Sequence, residues 1–298
     1  MKKLKSFRQQ ANQVLVGKSA VIDQALCCLI ANGHLLIEDI PGVGKTTLVK
    51  LLADLLSLST NRIQCTNDLL PADIIGGNTF DPNKQEFKFH KGPIFTNLLI
   101  ADELNRATPK TQSACLQAME EKEISIDGKT YQLPDPFFII ATQNPEESIG
   151  TFPLPESQLD RFLMKIKIGY PERKFERQVL ETLHHNTGTP PLPVMTLKDL
   201  QEAQITANNV HIKPSVFEYI QDIICESRTD RHGLSTRAAI DLVKASKAWA
   251  LINDRDFCIP DDVKSVFTQI ASHRLGCQDP RTNPSSILKD ILSRVSPP

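Results

Sequence analysis

The run Pro41-Gly42-Val43-Gly44-Lys45-Thr46-Thr47 holds the residue types that handle phosphate. Glycines bare successive backbone N–H groups, and a helix beginning at the lysine aims its positive end at the same point. Lys45 then reaches the β- and γ-phosphates of a nucleotide, and the Thr46 hydroxyl ligates Mg²⁺. The spacing departs from G-x-x-x-x-G-K-[ST] at one place, where Asp39 stands for the first glycine. Further along, the apolar run Leu98-Leu99-Ile100-Ala101 ends on Asp102-Glu103. A buried strand ending in two carboxylates can set Asp102 near Mg²⁺ and Glu103 near an attacking water. Asn144, in Ala141-Thr142-Gln143-Asn144-Pro145, is a neutral group suited to hold that water or to sense the γ-phosphate, although Asn-Pro is also an ordinary turn dipeptide. Arg161 and Arg237 offer planar forks that match phosphate oxygens; for either alone, a structural salt bridge explains an arginine equally well.

These groups need a frame. From about Leu35 to Ile168 short β-prone runs alternate with helical ones, which predicts a parallel sheet covered by helices. The expected strands are Leu35–Glu38, Arg62–Cys65, Leu98–Ala101, Phe137–Thr142 and Met164–Ile168. Leu98-Leu99-Ile100 and Phe137-Phe138-Ile139-Ile140 are apolar without alternation, so both faces of these strands should be buried at the sheet centre. After Gly169 the pattern turns helical, with helices expected over Lys174–His184, Pro214–Ser227, Thr236–Ile252 and Pro260–Arg274. Val216, Phe217, Ile220, Ile223 and Ile224 make one apolar helical face, read as core. The proline-rich stretch Thr187–Pro193 breaks any helix and marks a loop near a domain junction. The expected division is an α/β nucleotide-binding domain over residues 1–170 and a helical domain over 171–298.

Composition narrows the function classes. The 298 residues, 40% of them hydrophobic, suffice for two packed domains. Lys+Arg at 34 against Asp+Glu at 35 leaves a formal charge of -1, no global field for nucleic acid or an anionic membrane. No apolar run approaches the length of a bilayer span, so membrane insertion is not expected and a cytoplasmic location is. Seven cysteines without a C-x-x-C pair suggest reduced thiols, and His184-His185 reads as a solvated pair. Two stretches stand outside the sheet pattern. Asn78–Lys91 is polar and rich in turn residues, and Ile124–Tyr131 places Asp127-Gly128 between alternating flanks, a strong hairpin signal.

The phosphate run, the acidic pair, Asn144 and the two arginines together resemble the AAA+ ATPases, and the surrounding stretches are similar to the MoxR branch. The likeness is carried by Glu38–Thr46, Leu70–Gly76, Lys91–Phe95, Ala101–Ala107, Pro109–Gln112, Ala141–Pro145 and Phe152–Phe162. It implies a P-loop NTPase (AAA+) parallel-sheet core with a C-terminal all-helical lid, the two insertions being the helix-2 and pre-sensor hairpins of this branch. It also implies Asn144 as sensor 1, Arg161 as an arginine finger presented to a neighbouring subunit, and Arg237 as sensor 2 in the lid, acting on its own subunit's nucleotide. The activity implied is ATP hydrolysis with ATP and Mg²⁺, driving chaperone-like remodelling or maturation of protein complexes. The partners implied are a hexameric homo-oligomer, a von Willebrand factor A domain protein and a protein client. The competing readings are a nucleic-acid motor or loader, disfavoured by the neutral charge, and a nucleotide-gated scaffold without turnover, disfavoured by the intact Asp102-Glu103 pair.

Overall fold

The computed structural model describes residues 2–145, 150–177, 192–229, 233–275 and 284–298. Nine strands are present among them: β1 (Leu35–Glu38), β2 (Thr60–Gln64), β3 (Gly76–Asp81), β4 (Glu86–Lys91), β5 (Leu98–Asp102), β6 (Glu123–Ile126), β7 (Lys129–Gln132), β8 (Phe138–Gln143) and β9 (Met164–Ile166). Five of them form a sheet in the order β2-β5-β8-β1-β9, every pairing parallel. The register sets Glu38 opposite Gln143 and Gln64 opposite Asp102, so the C-terminal ends of β1, β2, β5 and β8 share one edge. Ligands bind outside that edge in open parallel sheets.

The continuous apolar runs occupy the centre, as their patterning requires. Every residue of β5 is buried, and β8 is buried up to its last residue. Successive side chains alternate faces. Leu35, Ile37, Leu98, Ile100, Phe138 and Ile140 enter one core with the helices Ser19–Ile30 and Lys45–Leu55 and the C-terminal helices. Leu36, Leu99, Ala101, Ile139 and Ala141 enter a second core with helix Pro109–Glu121. The expected Arg62–Cys65 strand lies instead over Thr60–Gln64, and four of its five residues are exposed. An edge strand with one face in water carries little apolar signal by which to locate its ends.

Both insertions are antiparallel hairpins. Ile126 pairs with Lys129 across Asp127 and Gly128, whose φ angles of 49° and 77° are those of a tight two-residue turn. Asn78 donates to Asp127 Oδ2 at 2.6 Å, and the Phe89 and Tyr131 rings stack at 4.1 Å, joining the two hairpins.

Beyond β9 the described chain is helical: Leu197–Asn208, Pro214–Ser227, Thr236–Ile252, Pro260–Leu275 and Pro284–Arg294. Of the expected Lys174–His184 helix, residues 173–177 are helical and the remainder, with His184 and His185, lies outside the described residues. Thr196 and Ser235 accept from the backbone N–H three residues on, capping the first and third of these helices. Val216, Ile220, Ile223 and Ile224 are buried as expected, but Phe217 is 47% exposed and sits beside Ile240 in a surface groove. The helix meets its neighbours over a stripe narrower than its apolar face. No described helix is long and apolar enough to cross a membrane.

Candidate nucleotide site

Immediately after β1 the chain turns through Gly42 and Gly44 at φ angles of 83° and 96°, a left-handed region that strains any side chain. Gly44 is the N-cap of helix Lys45–Leu55, so the loop delivers its backbone N–H groups to the helix's positive end. Pro41, Gly42 and Thr47 are exposed, Lys45 and Thr46 half-buried, and Val43 is anchored in the core. Lys45 Nζ donates to the Asp39 carbonyl, which holds the ammonium at the loop's own base.

Asp102 ends β5 across one intervening strand. Arg62 Nε donates to its Oδ2 at 2.5 Å and Thr142 Oγ1 to its Oδ1 at 3.3 Å, so the buried carboxylate is fixed in direction. Glu103 adopts φ 54° and ψ 49°, an uncommon conformation for glutamate that turns its side chain away from the strand. Its backbone N–H donates to Thr142 Oγ1 at 2.9 Å, and its carboxylate accepts from Gln64 Nε2 at 2.8 Å and Arg106 Nη1 at 3.0 Å. The following turn is held by buried Gln112, whose amide donates to the carbonyls of Ala107 and Phe152 at 3.0 and 2.9 Å. Asn144 follows β8 at the same edge, buried, on a cavity of about 480 Å³ shared with Glu38, Asn105 and Lys165. These groups fit a nucleotide with Mg²⁺: N–H donors and a cation converge after β1, while a threonine hydroxyl and a positioned carboxylate supply hard oxygen ligands.

Arg161 and Arg237 are not at this edge. Arg161 donates to the Leu116 carbonyl at 2.6 Å and pairs with Glu120 at 3.1 Å, and Arg237 pairs with the same Glu120. Glu120 belongs to the end of helix Pro109–Glu121, where the Met119 carbonyl accepts from His34 Nε2 at 3.2 Å. His34 precedes β1, whereas Asp39 follows it, five extended residues or roughly 16 Å away. The two arginines therefore lie at the opposite end of the sheet from their own phosphate loop. With His34, Lys122 and Lys244 they line a second cavity of about 480 Å³. The expectation that Arg237 senses its own subunit's nucleotide does not fit this placement, because the lid helix Thr236–Ile252 packs on Ser19–Ile30 rather than over the loop.

Arg274 holds this arrangement. Only 5% of its side chain is exposed, and its guanidinium reaches Asp160 Oδ1 and Asp241 Oδ2, both at 2.7 Å, and the Asp160 and Phe162 carbonyls at 2.9 and 3.0 Å. Burial raises the Asp241 carboxyl above the ordinary carboxylate range, and Arg274 opposes that shift. His34 is buried and neutral: Nδ1 accepts the Ile139 N–H at 2.9 Å while Nε2 donates to Met119, and burial lowers its pKa to about 4. Burial also raises the Cys27, Cys28 and Cys115 thiols and pushes Cys65 to about 12. All four are free thiols, and burial with the raised pKa keeps them protonated and inert as nucleophiles. Reading the sequence missed Gln64, Arg62, Thr142 and Arg274. All four lie in elements expected from the sequence, and only their adjacency in the fold reveals their roles.

The sheet order, the phosphate loop after its first strand and the acidic pair on a neighbouring strand define an AAA+ nucleotide-binding protein with a helical lid. Comparison with known proteins agrees. The model of the ATPase family associated with various cellular activities (AAA) matches residues 34–164, and that of the AAA lid domain matches residues 225–293. The chain is 42% identical to an uncharacterized protein, YeaC, of Bacillus subtilis (strain 168), over 97% of this chain and 93% of that one. It is 34% identical to Chaperone MoxR1 of Mycobacterium tuberculosis, over 97% of this chain and 81% of that one. A crystal structure of a Cytophaga hutchinsonii protein assigned as an ATPase superposes with a TM-score of 0.90 at 35% identity, covering 100% of this chain and 95% of that one. The chain belongs to the MoxR family of AAA+ ATPases.

Proposed function

We propose that the protein hydrolyses ATP with Mg²⁺ to drive chaperone-like remodelling of other proteins. The observation that carries the reading is the shared edge of Lys45, Thr46, Asp102, Glu103 and Asn144. Backbone N–H groups from Gly42 to Thr47 and the Lys45 ammonium hold the phosphates, and Thr46 and Asp102 would hold Mg²⁺. The metal, when bound, neutralises charge developing on the phosphoryl oxygens. Glu103 takes the proton of the attacking water, and Asn144 orients that water. In this reading residues 1–170 form the nucleotide-binding domain and residues 171–298 the helical lid.

Arg161 completes the site of a neighbouring copy, because it cannot reach its own loop. The same placement extends to Arg237, so we assign both arginines to the subunit interface of a ring, hexameric by analogy with the family. A protein client and a partner with a von Willebrand factor A domain, in the cytoplasm, complete the reading. The test separates binding from chemistry. Lys45→Ala should abolish tight ATP binding, and Glu103→Gln should keep binding and lose turnover. Wild-type hydrolysis by Glu103→Gln would remove Glu103 from its role.

A further inference from the structure

Asp39 occupies the position where the phosphate-loop pattern ordinarily has glycine, and its side chain makes bonds that no glycine could. Asp39 as a whole is 8% exposed. Its Oδ1 accepts from the Ile40 N–H at 2.9 Å, and its Oδ2 accepts from the N–H groups of both Ile168 and Gly169 at 2.6 Å. Ile168 and Gly169 follow β9, where the chain leaves the sheet for the helical part, and Gly169 makes that exit at φ 65°. On the other side of the Ile168–Gly169 peptide, Lys18 Nζ donates to the Ile168 carbonyl at 2.6 Å, and it reaches on to the Tyr170 carbonyl at 2.8 Å. The exit segment is thus clasped through its N–H groups by the first residue of the phosphate loop and through its carbonyls by Lys18.

A carboxylate beside a phosphate site is electrostatically adverse, so its presence asks for a compensating role. The backbone of the same residue supplies one. The Asp39 carbonyl accepts from Lys45 Nζ, and the Asp39 N–H donates to the Gln143 carbonyl at 3.1 Å. A bound triphosphate draws the Lys45 ammonium to its own oxygens. The Asp39–Ile40 peptide, relieved of that bond, is free to tilt, and the carboxylate that holds Ile168 and Gly169 moves with it.

We propose that Asp39 is a positioning residue that couples occupancy of the phosphate loop to the segment by which the chain leaves the sheet for its lid. The coupling rests on the reading that the loop binds ATP. Glycine at this position leaves the loop its phosphate contacts and removes the link.

The experiment follows backbone hydrogen exchange of the peptide spanning residues 166–172 in the full chain, without nucleotide and with a non-hydrolysable ATP analogue, beside the analogue's Kd. In the wild type, exchange in this peptide should change on binding. In Asp39→Gly the analogue should bind within about threefold of wild type, while exchange in the peptide speeds by about tenfold or more and ceases to respond to nucleotide. Lys18→Ala, which leaves the loop intact, should speed exchange in both states and keep the nucleotide response; it also serves where Asp39→Gly fails to fold. A full nucleotide response in Asp39→Gly overturns the proposal. So does a wild type that binds the analogue with no change in this peptide, or a Lys18→Ala variant that binds it and loses the response. A wild type that does not bind the analogue contradicts the ATP reading itself, and the Kd separates that failure from the others.

Discussion

Gln64 Nε2 donates to Glu103 Oε2 at 2.8 Å, so the last residue of β2 holds the carboxylate that immediately follows β5. The donor occupies the group proposed to take a proton from water. One hydrogen bond of this kind is worth about 0.5–1.5 kcal/mol, enough to shift a rate by up to about tenfold. Gln64→Ala should raise kcat within that range and leave ATP affinity unchanged. Steady-state kinetics with a separate binding titration check this, and a loss of affinity at constant kcat would place Gln64 in binding.

Arg237 and Arg161 share Glu120 at the end of the sheet away from the phosphate loop. Arg237→Ala should therefore lower turnover of the assembled protein while leaving nucleotide-dependent protease protection of the isolated subunit intact. Loss of that protection in a monomeric preparation would return Arg237 to its own subunit's nucleotide.

Arg274 pairs with both Asp160 and Asp241 from within the interior. Removing one partner of a buried ionic group leaves charge unpaired and typically costs about 3–5 kcal/mol. Arg274→Ala should lose stability of that order in urea unfolding, and turnover should fall because Asp160 precedes Arg161. A loss below about 1 kcal/mol, the range of an exposed pair, would deny Arg274 this structural role.

His34 is held neutral, its pKa lowered by burial to about 4. Between its ordinary value near 6.5 and about 4 the unfolded chain binds the proton and the folded chain does not. Stability from this group is therefore complete above about pH 6.5 and falls by roughly 3 kcal/mol as pH drops through the window. Unfolding free energies at about pH 7 and about pH 4.5 should differ less in His34→Gln than in the wild type. Equal differences would show that His34 does not set the slope.

Much of this was legible in the sequence because local chemistry dictated it. The unbroken apolar runs Leu98–Ile100 and Phe137–Ile140 mark central strands, Asp127-Gly128 marks a hairpin turn, and Gly42, Gly44 and Lys45 mark a phosphate loop whatever surrounds them. β2 was blurred because Thr60, Asn61, Arg62 and Gln64 face water and carry no hydrophobic period. The helices Lys2–Val14 and Ser19–Ile30 went unassigned, and with them the surface on which the lid packs. The location of Arg237 could not be read from its neighbours for that reason. It is set by where helix Thr236–Ile252 docks, a tertiary property shared among Arg274, Asp160 and Asp241.

The central claim is that each nucleotide site is completed by an arginine from another copy of the chain. An arginine supplied in this way is worth about 10³ to 10⁵ in rate. Arg161→Ala should keep its own Lys45 and bind ATP, and Lys45→Ala should keep its own Arg161, yet each alone should be inactive. The decisive measurement is the ATPase rate of the two variants mixed, with co-assembly verified by pull-down. Partial recovery of hydrolysis is predicted, since some interfaces then join an intact phosphate loop to an intact arginine. A co-assembled mixture as inactive as either parent would contradict the account.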